Sequence, residues 1–344
     1  MDSVRLLLTC GLPGAGKTTL AVELAESQQA VRLTKDEWQW VIGSSPWDRE
    51  VGEKLERQLW RLAQQLLQLG VSVVLDFGLW ARVERDELRT EARRLGVGVE
   101  LHYLDAPFDE LWRRIEKRNW APPWDDGPIS RAHLAEWQAL FEAPDAEEMA
   151  LFDAPDQTVR VLASSPTEEH TTGATGLDMP TLVLFCGPPG SGKTTLAKAL
   201  AERGRGLRIC TDDWQESLGV DHGNDTFHER LQTRLYGLAL DLLNRGQDVI
   251  FEDGLWVKVE RDQKLADARR LGARAELHLL DLTFEQLWAR IRNRNEHGPP
   301  GSVRIDRADF ERIWGRYEKP EESELAQFDY YEIRGADDSD PHDT

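Results

Sequence analysis

Two stretches of the sequence place glycines, a lysine and a threonine at the same fixed spacing. Each reads Gly-x-x-x-x-Gly-Lys-Thr, follows a short apolar run and precedes a helical pattern. In such a loop, backbone N–H groups face phosphate oxygens at the positive end of a helix dipole, and the lysine reaches the β- and γ-phosphates. We therefore predict ATP and Mg²⁺ as cofactors. The predicted nucleotide-binding residues are Gly11, Gly14, Ala15, Gly16, Lys17, Thr18 and Thr19, and Gly187, Gly190, Ser191, Gly192, Lys193, Thr194 and Thr195.

An acidic residue ends the third apolar run of each half, and it is a candidate for holding the metal. The residue is Asp76 in the first half and Glu252 in the second. Because Asp253 follows Glu252, either acid of the second half could hold the metal, and a weakened second site is the alternative. In a parallel sheet, this acid would lie beside the glycine-rich loop, where it could hold the water shell of Mg²⁺. With the loop threonines Thr18 and Thr194, these acids form the predicted metal sites. The alternative is that the acid caps the following turn.

A second pair of acids, Asp36 and Asp212, follows the second apolar run of each half. A carboxylate at that edge of the sheet can orient and deprotonate an acceptor hydroxyl for attack on the γ-phosphate. A local role is the alternative, because Thr34 and Glu37 are spaced as in a capping box and Asp36 could cap the same helix. The second half has Cys210 in place of Thr34 and keeps the aspartate, which favours a catalytic role.

Arginines on one helical face supply a third predicted element. The candidates are Arg114, Arg118, Arg290 and Arg294. In the first half they precede a loop rich in proline and tryptophan (residues 120–124), which could close over the site while the guanidinium groups contact the transferring phosphate. A solvated basic face is the alternative. Arg85 and Arg261, each at the start of a helix, are weaker candidates for contact with the phosphate or the acceptor.

The elements that must position these residues occur twice in the same order, with a constant offset of 176 residues from Gly11 to Gly187 and onward. Because no net insertion separates the shared motifs, both copies must adopt one fold. Strand and helix patterns alternate within each copy, which predicts a parallel sheet flanked by helices. The fold class is thus α/β, with two tandem P-loop NTPase domains. We predict domains at 1–163 and 180–335, a linker at 164–179 and an acidic tail at 336–344.

Composition narrows the classes of partner. The 344 residues include 42 Lys and Arg against 62 Asp and Glu, and the net charge of −20 disfavours nucleic acid. Of the three cysteines, Cys10 and Cys186 end apolar strands, so we expect them to pack as small hydrophobic groups in a reducing compartment. The N-terminal apolar run is too short for a membrane span, so we expect a cytoplasmic protein without a membrane partner. Nothing in the sequence indicates the oligomeric state.

Each copy resembles the P-loop kinase group that includes polynucleotide kinases, zeta toxins, chloramphenicol phosphotransferase-like enzymes and many predicted kinases labelled AAA-family ATPases. The resemblance rests on the glycine-rich loop, the Asp36 and Asp212 positions, the strand-end acid and the Leu-Trp-x-Arg-Ile-x-x-Arg-Asn stretch. It implies ATP, Mg²⁺ and transfer of the γ-phosphate to a hydroxyl of a small molecule or a nucleotide. A non-catalytic or regulatory ATP-binding or ATPase module, and a polynucleotide 5′-kinase, are the alternatives.

Overall fold

The structure is a computed structural model that describes residues 4–45, 47–119, 128–155, 179–298 and 304–335. The described residues fall into two compact units, divided at residue 172. Four sequence predictions lie outside the described residues: the loop 120–124, a last strand of the first copy at 159–162, the linker apart from Met179, and the acidic tail.

The first unit alternates strands and helices, as the sequence pattern predicts. Its strands are β1 (Arg5–Cys10), β2 (Val31–Thr34), β3 (Val73–Gly78) and β4 (Gly98–Tyr103). Its helices are α1 (Lys17–Ser27), α2 (Lys35–Val41), α3 (Arg49–Gln68), α4 (Arg82–Arg94), α5 (Phe108–Asn119), α6 (Arg131–Leu140) and α7 (Ala146–Met149). The four strands form one parallel sheet in the order β2-β3-β1-β4.

The second unit repeats this architecture and has one more strand among the described residues. Its strands are β5 (Thr181–Cys186), β6 (Leu207–Cys210), β7 (Val249–Glu252), β8 (Arg274–Leu280) and β9 (Tyr330–Arg334). Its helices are α8 (Lys193–Glu202), α9 (Thr211–Leu218), α10 (Asp225–Asn244), α11 (Lys258–Arg270), α12 (Phe284–His297), α13 (Arg307–Arg316) and α14 (Glu322–Leu325). All five strands are parallel, in the order β6-β7-β5-β8-β9.

Apolar periodicity explains why these segments pack as they do. β1 is buried along Leu6–Cys10, as expected for a central strand of a parallel sheet covered on both faces. α3 buries Leu55, Leu59, Leu62 and Leu66, which recur at helical spacing on the side that faces the sheet. Gly70 follows the end of α3 with φ +83°, a conformation that glycine adopts without steric cost. The predicted fold class is therefore confirmed.

Two predictions from composition can also be compared with the structure. Cys10, Cys186 and Cys210 are buried and none forms a disulfide, so they pack as small apolar groups. Within the described part of the chain, no helix has the length and apolar character needed to cross a membrane.

Candidate functional site

The glycine-rich loops connect β1 to α1 and β5 to α8, and their backbone conformation requires glycine. Gly11, Gly14 and Gly16 have φ of +145°, +85° and +102°, and the corresponding glycines of the second copy have nearly the same values. A Cβ atom on Gly11 would lie 2.5 Å from the carbonyl oxygen of Leu104, and one on Gly14 would lie 2.9 Å from that of Leu111. The loop therefore folds tightly at the N-terminus of α1, which is the geometry that exposes N–H groups to an anion.

The lysine of each loop is held inside its own loop. Lys17 Nζ donates to the carbonyl oxygen of Leu12 at 3.1 Å, and Lys193 Nζ donates to those of Gly187 and Pro188 at 2.7 and 3.1 Å. Among the described residues, neither amino group forms an ion pair with a carboxylate. Burial lowers the pKa of both lysines, and nearby carboxylates oppose the shift.

The threonine and the strand-end acid of the first copy are in direct contact. Thr18 Oγ1 donates to Asp76 Oδ2 at 2.9 Å, and Thr9 Oγ1 donates to Asp76 Oδ1 at 2.9 Å. A Mg²⁺ ion that binds with a nucleotide takes one or two protein ligands and completes its shell with phosphate and water. The adjacent hydroxyl and carboxylate fit that donor set. In the described residues, no group of three or more His, Cys, Asp or Glu side chains could hold a metal without such additional ligands.

The corresponding contact in the second copy is shared with an arginine that the sequence analysis did not identify. Thr194 Oγ1 donates to Glu252 Oε1 at 2.5 Å. Arg208 Nε donates to Glu252 Oε2 at 2.6 Å, and Arg208 also donates to Asp213 Oδ2 at 2.6 Å. The side chain of Glu252 is only 5 % exposed. Glu252 is thus already paired with a cation, Arg208, whose side chain is 15 % exposed.

The first copy has the same arginine with different partners. Arg32 donates to both carboxylate oxygens of Glu37, at 2.7 and 2.8 Å, and to Thr34 Oγ1 at 2.6 Å. The long and the short acid are thus in opposite positions in the two copies. The first copy has glutamate on the helix and aspartate at the strand end, and the second has aspartate on the helix and glutamate at the strand end. The longer strand-end acid reaches Arg208, whereas Asp76 has hydroxyl partners.

The predicted base Asp36 lies in the first turn of α2, next to the metal position. Thr34 at the end of β2 pairs with Asp76 of β3, and Asp36 lies two residues after Thr34. The capping-box alternative does not form, because Thr34 makes no side-chain cap hydrogen bond and Glu37 binds Arg32 instead. The Asp36 side chain is exposed. In the second copy, Asp212 Oδ1 lies 3.9 Å from His228 Nδ1.

The predicted arginines of the first copy lie over the phosphate loop. Arg114 donates to the carbonyl oxygen of Gly14 at 3.1 Å and to Glu110 at 2.7 Å. Arg118 lies one turn further along α5 on the same face. Burial lowers the pKa of Arg118, and the Asp36 carboxylate opposes that shift; Asp36, after Asp76, also opposes the lowering of the Lys17 pKa. Asp36 is therefore within electrostatic reach of both cations.

The second copy repeats this arrangement of arginines with fewer contacts to the loop. Arg290 donates to the carbonyl oxygen of Ser191 at 3.4 Å. Burial lowers the pKa of Arg294, and Asp212 opposes that shift as Asp36 does for its counterpart. The pairing of one aspartate with one arginine at this edge is thus common to both copies.

The weaker candidates Arg85 and Arg261 are structural, and the suggestion that they contact phosphate or acceptor is wrong. Arg85 is fully buried and binds both oxygens of Glu148 at 2.6 and 2.9 Å. It also donates to the carbonyl oxygen of Leu79 at 2.9 Å, which holds the turn after β3 where Leu79 has φ +45°. Arg261 makes the equivalent bonds to Glu324 and Leu255.

Comparison with known proteins supports the duplication. A model of the AAA domain family AAA_33 matches residues 6–144 and again residues 182–320, which together are most of the chain. No curated protein matches the chain significantly.

Several solved structures resemble a single copy. A candidate kinase from Chloroflexus aurantiacus is 24% identical over 42% of this chain and 83% of its own, with a TM-score of 0.37. Kti12 of Chaetomium thermophilum in complex with ADP-AlF3 is 18% identical over 46% of this chain and 94% of its own, with a TM-score of 0.35. The Mycobacterium tuberculosis APS kinase CysC, in complex with AMPPNP and APS, is 18% identical over 47% and 91%, with a TM-score of 0.33.

Proposed function

Because both halves of the chain belong to the AAA domain family, with a phosphate loop in each, we propose that the protein binds ATP and transfers its γ-phosphate to a hydroxyl of a small molecule. The first copy carries the reaction. Its loop residues hold the triphosphate, Thr18 and Asp76 hold Mg²⁺, and Asp36 faces the acceptor.

The reaction follows from the placement of these groups. The acceptor oxygen forms a bond to the γ-phosphorus as the bond from phosphorus to the β,γ-bridging oxygen breaks, and ADP leaves. Asp36 accepts the proton of the acceptor hydroxyl. Lys17 and Arg118 balance the negative charge on the transferring group, and Arg114 stays close to the loop backbone. Bound Mg²⁺ would neutralise charge on the β- and γ-phosphate oxygens.

One observation carries the proposal more than any other. Asp36 follows β2, and Asp76 lies near the carboxyl end of the adjacent β3, beside the loop that carries Lys17. The helix of Arg118 is tied to that loop through Arg114. In open parallel sheets, ligands bind outside the carboxyl ends of the strands. A nucleotide-binding module without transfer would not need an aspartate at the acceptor side.

The second copy supports a different role, nucleotide binding without efficient transfer. Its strand-end carboxylate is paired with Arg208, which would compete with a metal ion for Glu252. A regulatory nucleotide site is therefore the candidate function for this copy. The two copies of one fold would then divide catalysis and regulation between them.

Mass spectrometry of hydroxylated acceptors incubated with ATP and Mg²⁺ tests the proposal. A product heavier by about 80 Da, the mass of a phosphoryl group, supports transfer. Asp36→Asn should abolish that product and preserve ATP binding, whereas Asp212→Asn serves as the matched control and should leave most of the activity. If ATP is hydrolysed at the same rate with and without every acceptor, the protein is an ATPase module and transfer is refuted.

A further inference from the structure

Four aromatic rings of the first copy form a cluster. Trp47 and Trp137 have ring centroids 5.9 Å apart, and His133 lies 5.4 Å from Trp47 and 6.0 Å from Trp137. Trp80 joins the cluster at 5.7 Å from Trp137. These rings come from the loop before α3, the turn after β3, and α6, which converge at one place; we call them the aromatic wall.

The aromatic wall is connected to the phosphate loop. A Cβ atom on Gly78 would lie 3.1 Å from the indole nitrogen of Trp80 and 3.9 Å from Cε of Lys17, so Trp80 lies beside the glycine that contacts the catalytic lysine. Gln138, the residue after Trp137, lines a cavity of about 280 Å³ together with Leu12 of the phosphate loop. The wall therefore adjoins the loop through both Trp80 and α6.

The second copy serves as an internal control for whether the fold needs these rings. The counterparts of Trp47, His133 and Trp137 at the constant offset are Gly223, Asp309 and Ile313. The same fold forms without them. The duplicated fold therefore does not require an aromatic ring at these three positions, although Trp137 also packs against the buried cluster that contains Leu111 and Leu134.

The second copy instead has a partly buried ring at the position of Gln138. Trp314, the counterpart of Gln138, packs against Phe284 and Tyr317 with centroids 5.6 and 5.9 Å away. The position that borders a cavity in the first copy is thus occupied by a large side chain in the second.

Exposure also indicates a ligand. Trp47 is 46 % exposed and Trp40 is 53 % exposed, which is a large apolar surface to leave in water. Trp40 lies four residues after Asp36, on the same face of α2 as the proposed base. The counterpart of Trp40 in the second copy is Glu216. The first copy therefore has an exposed ring one helical turn after the proposed base, where the second copy has a carboxylate.

We propose that the aromatic wall recognises the acceptor, and that the acceptor is a small hydroxylated molecule with a planar aromatic or heteroaromatic ring. This inference rests on the proposed function and names its substrate class. A ring that stacks on Trp47 and Trp137 would be held with its hydroxyl toward Asp36. Acidic neighbours, including Asp48 next to Trp47, and the net charge of −20 disfavour a polyphosphate strand as the ligand.

Matched pairs of ligands test the proposal by NMR titration of the full chain with AMPPNP and Mg²⁺ present. The probes are uridine against methyl riboside, and 2-phenylethanol against 2-cyclohexylethanol. We expect the ring member of each pair to bind at least about tenfold more tightly. An aromatic side chain stacks on any planar ring, and such stacking increases the affinity by about that factor. The cyclohexyl compound is the more hydrophobic of its pair, so apolar burial alone would reverse the preference.

Substitutions of the tryptophans show where the ring probes bind. Trp47→Ala and Trp137→Ala should each weaken binding of the ring probes about tenfold, whereas Trp256→Ala, at the second-copy counterpart of Trp80, should leave it unchanged. Circular dichroism and AMPPNP affinity establish that each variant is folded. Equal affinity within both ligand pairs, unchanged binding in both tryptophan variants, or tighter salt-dependent binding of a thymidine oligonucleotide would overturn the proposal.

The outcomes separate this inference from the proposed function. A protein that binds the ring probes through Trp47 and Trp137 and transfers no phosphoryl group contradicts the proposed function and supports the aromatic wall. A protein that phosphorylates saturated alcohols as well as ring alcohols, and keeps that activity in both tryptophan variants, contradicts the aromatic wall and supports phosphoryl transfer.

Discussion

Exchanging the two acids of the second copy should convert its metal position into that of the first. The perturbation is the double substitution Asp213→Glu with Glu252→Asp. It keeps the net charge and the total side-chain length, and it gives Arg208 the longer partner on the helix that Arg32 has in Glu37. The strand-end carboxylate is then too short to retain Arg208 and is free for Mg²⁺.

The expected size of the effect follows from the contacts. Arg208 Nε donates to Glu252 Oε2 at 2.6 Å in a site where Glu252 is nearly inaccessible to solvent. A hydrogen bond to a charged group contributes about 1.5 to 3 kcal/mol net. Because 1.4 kcal/mol corresponds to a factor of ten, releasing that bond should strengthen Mg²⁺-dependent nucleotide binding by about 10- to 150-fold.

Calorimetric titration with AMPPNP, once in Mg²⁺ and once in EDTA, measures this effect. The protein also carries Lys17→Ala, so that only binding at the second site is observed. The ratio of the AMPPNP affinity in Mg²⁺ to the affinity in EDTA should be small before the two acids are exchanged. It should increase after the exchange. The matched control is Glu37→Asp with Asp76→Glu on a Lys193→Ala background, which should lower the ratio at the first site. If the ratio does not change in either exchange, pairing with Arg208 does not control metal binding and the reasoning is refuted.

Three further predictions follow from contacts of single residues. Asp36→Asn should lower phosphoryl transfer by about 10²- to 10⁴-fold with ATP affinity unchanged, as measured by product formation and calorimetry. Arg85→Met should lower the free energy of unfolding by about 3 to 5 kcal/mol in urea, because it leaves Glu148 buried without its cation. Burial raises the pKa of Cys10 to about 11, so its thiolate fraction at pH 8 should be about a hundredfold below that of the unfolded chain, and alkylation by iodoacetamide should be slow until urea is added.

Each of these predictions has an outcome that contradicts it. Full transfer activity in Asp36→Asn would assign proton removal to another group. Arg82, whose side chain is 43 % exposed, provides the comparison. If Arg85→Met lowers the free energy of unfolding no more than Arg82→Met does, the buried pair of Arg85 and Glu148 stabilises the fold little. Equal alkylation rates for Cys10 in the folded and urea-unfolded protein would show that the strand end is open to solvent.

The repeat made most of the fold predictable. Because the motifs recur at one offset, the alternation of strands and helices was supported by both copies of the sequence, and the parallel sheet that it predicts is observed in each unit. The contact of Thr18 with Asp76 also follows from local rules, since the end of β3 must lie beside the loop in a parallel sheet.

The parts that the sequence did not reveal depend on side-chain length and on distant contacts. Arg208 and Arg32 occupy the same position, and only the reach of their acidic partners decides whether the strand-end acid is paired. Arg85 resembles a surface arginine at a helix start, yet Glu148, 63 residues away, makes it a buried structural residue. The aromatic wall joins three segments that no short-range pattern relates.

The central claim is that each copy binds a nucleoside triphosphate in its glycine-rich loop. Calorimetric titration of ATP with Mg²⁺ into the unmodified chain, and into Lys17→Ala and Lys193→Ala separately, tests that claim most directly. We predict two sites of unequal affinity in the unmodified chain, with loss of the Mg²⁺-dependent site in Lys17→Ala and of the other in Lys193→Ala. Heat of binding that is absent from the unmodified chain, or unaffected by both substitutions, would contradict it.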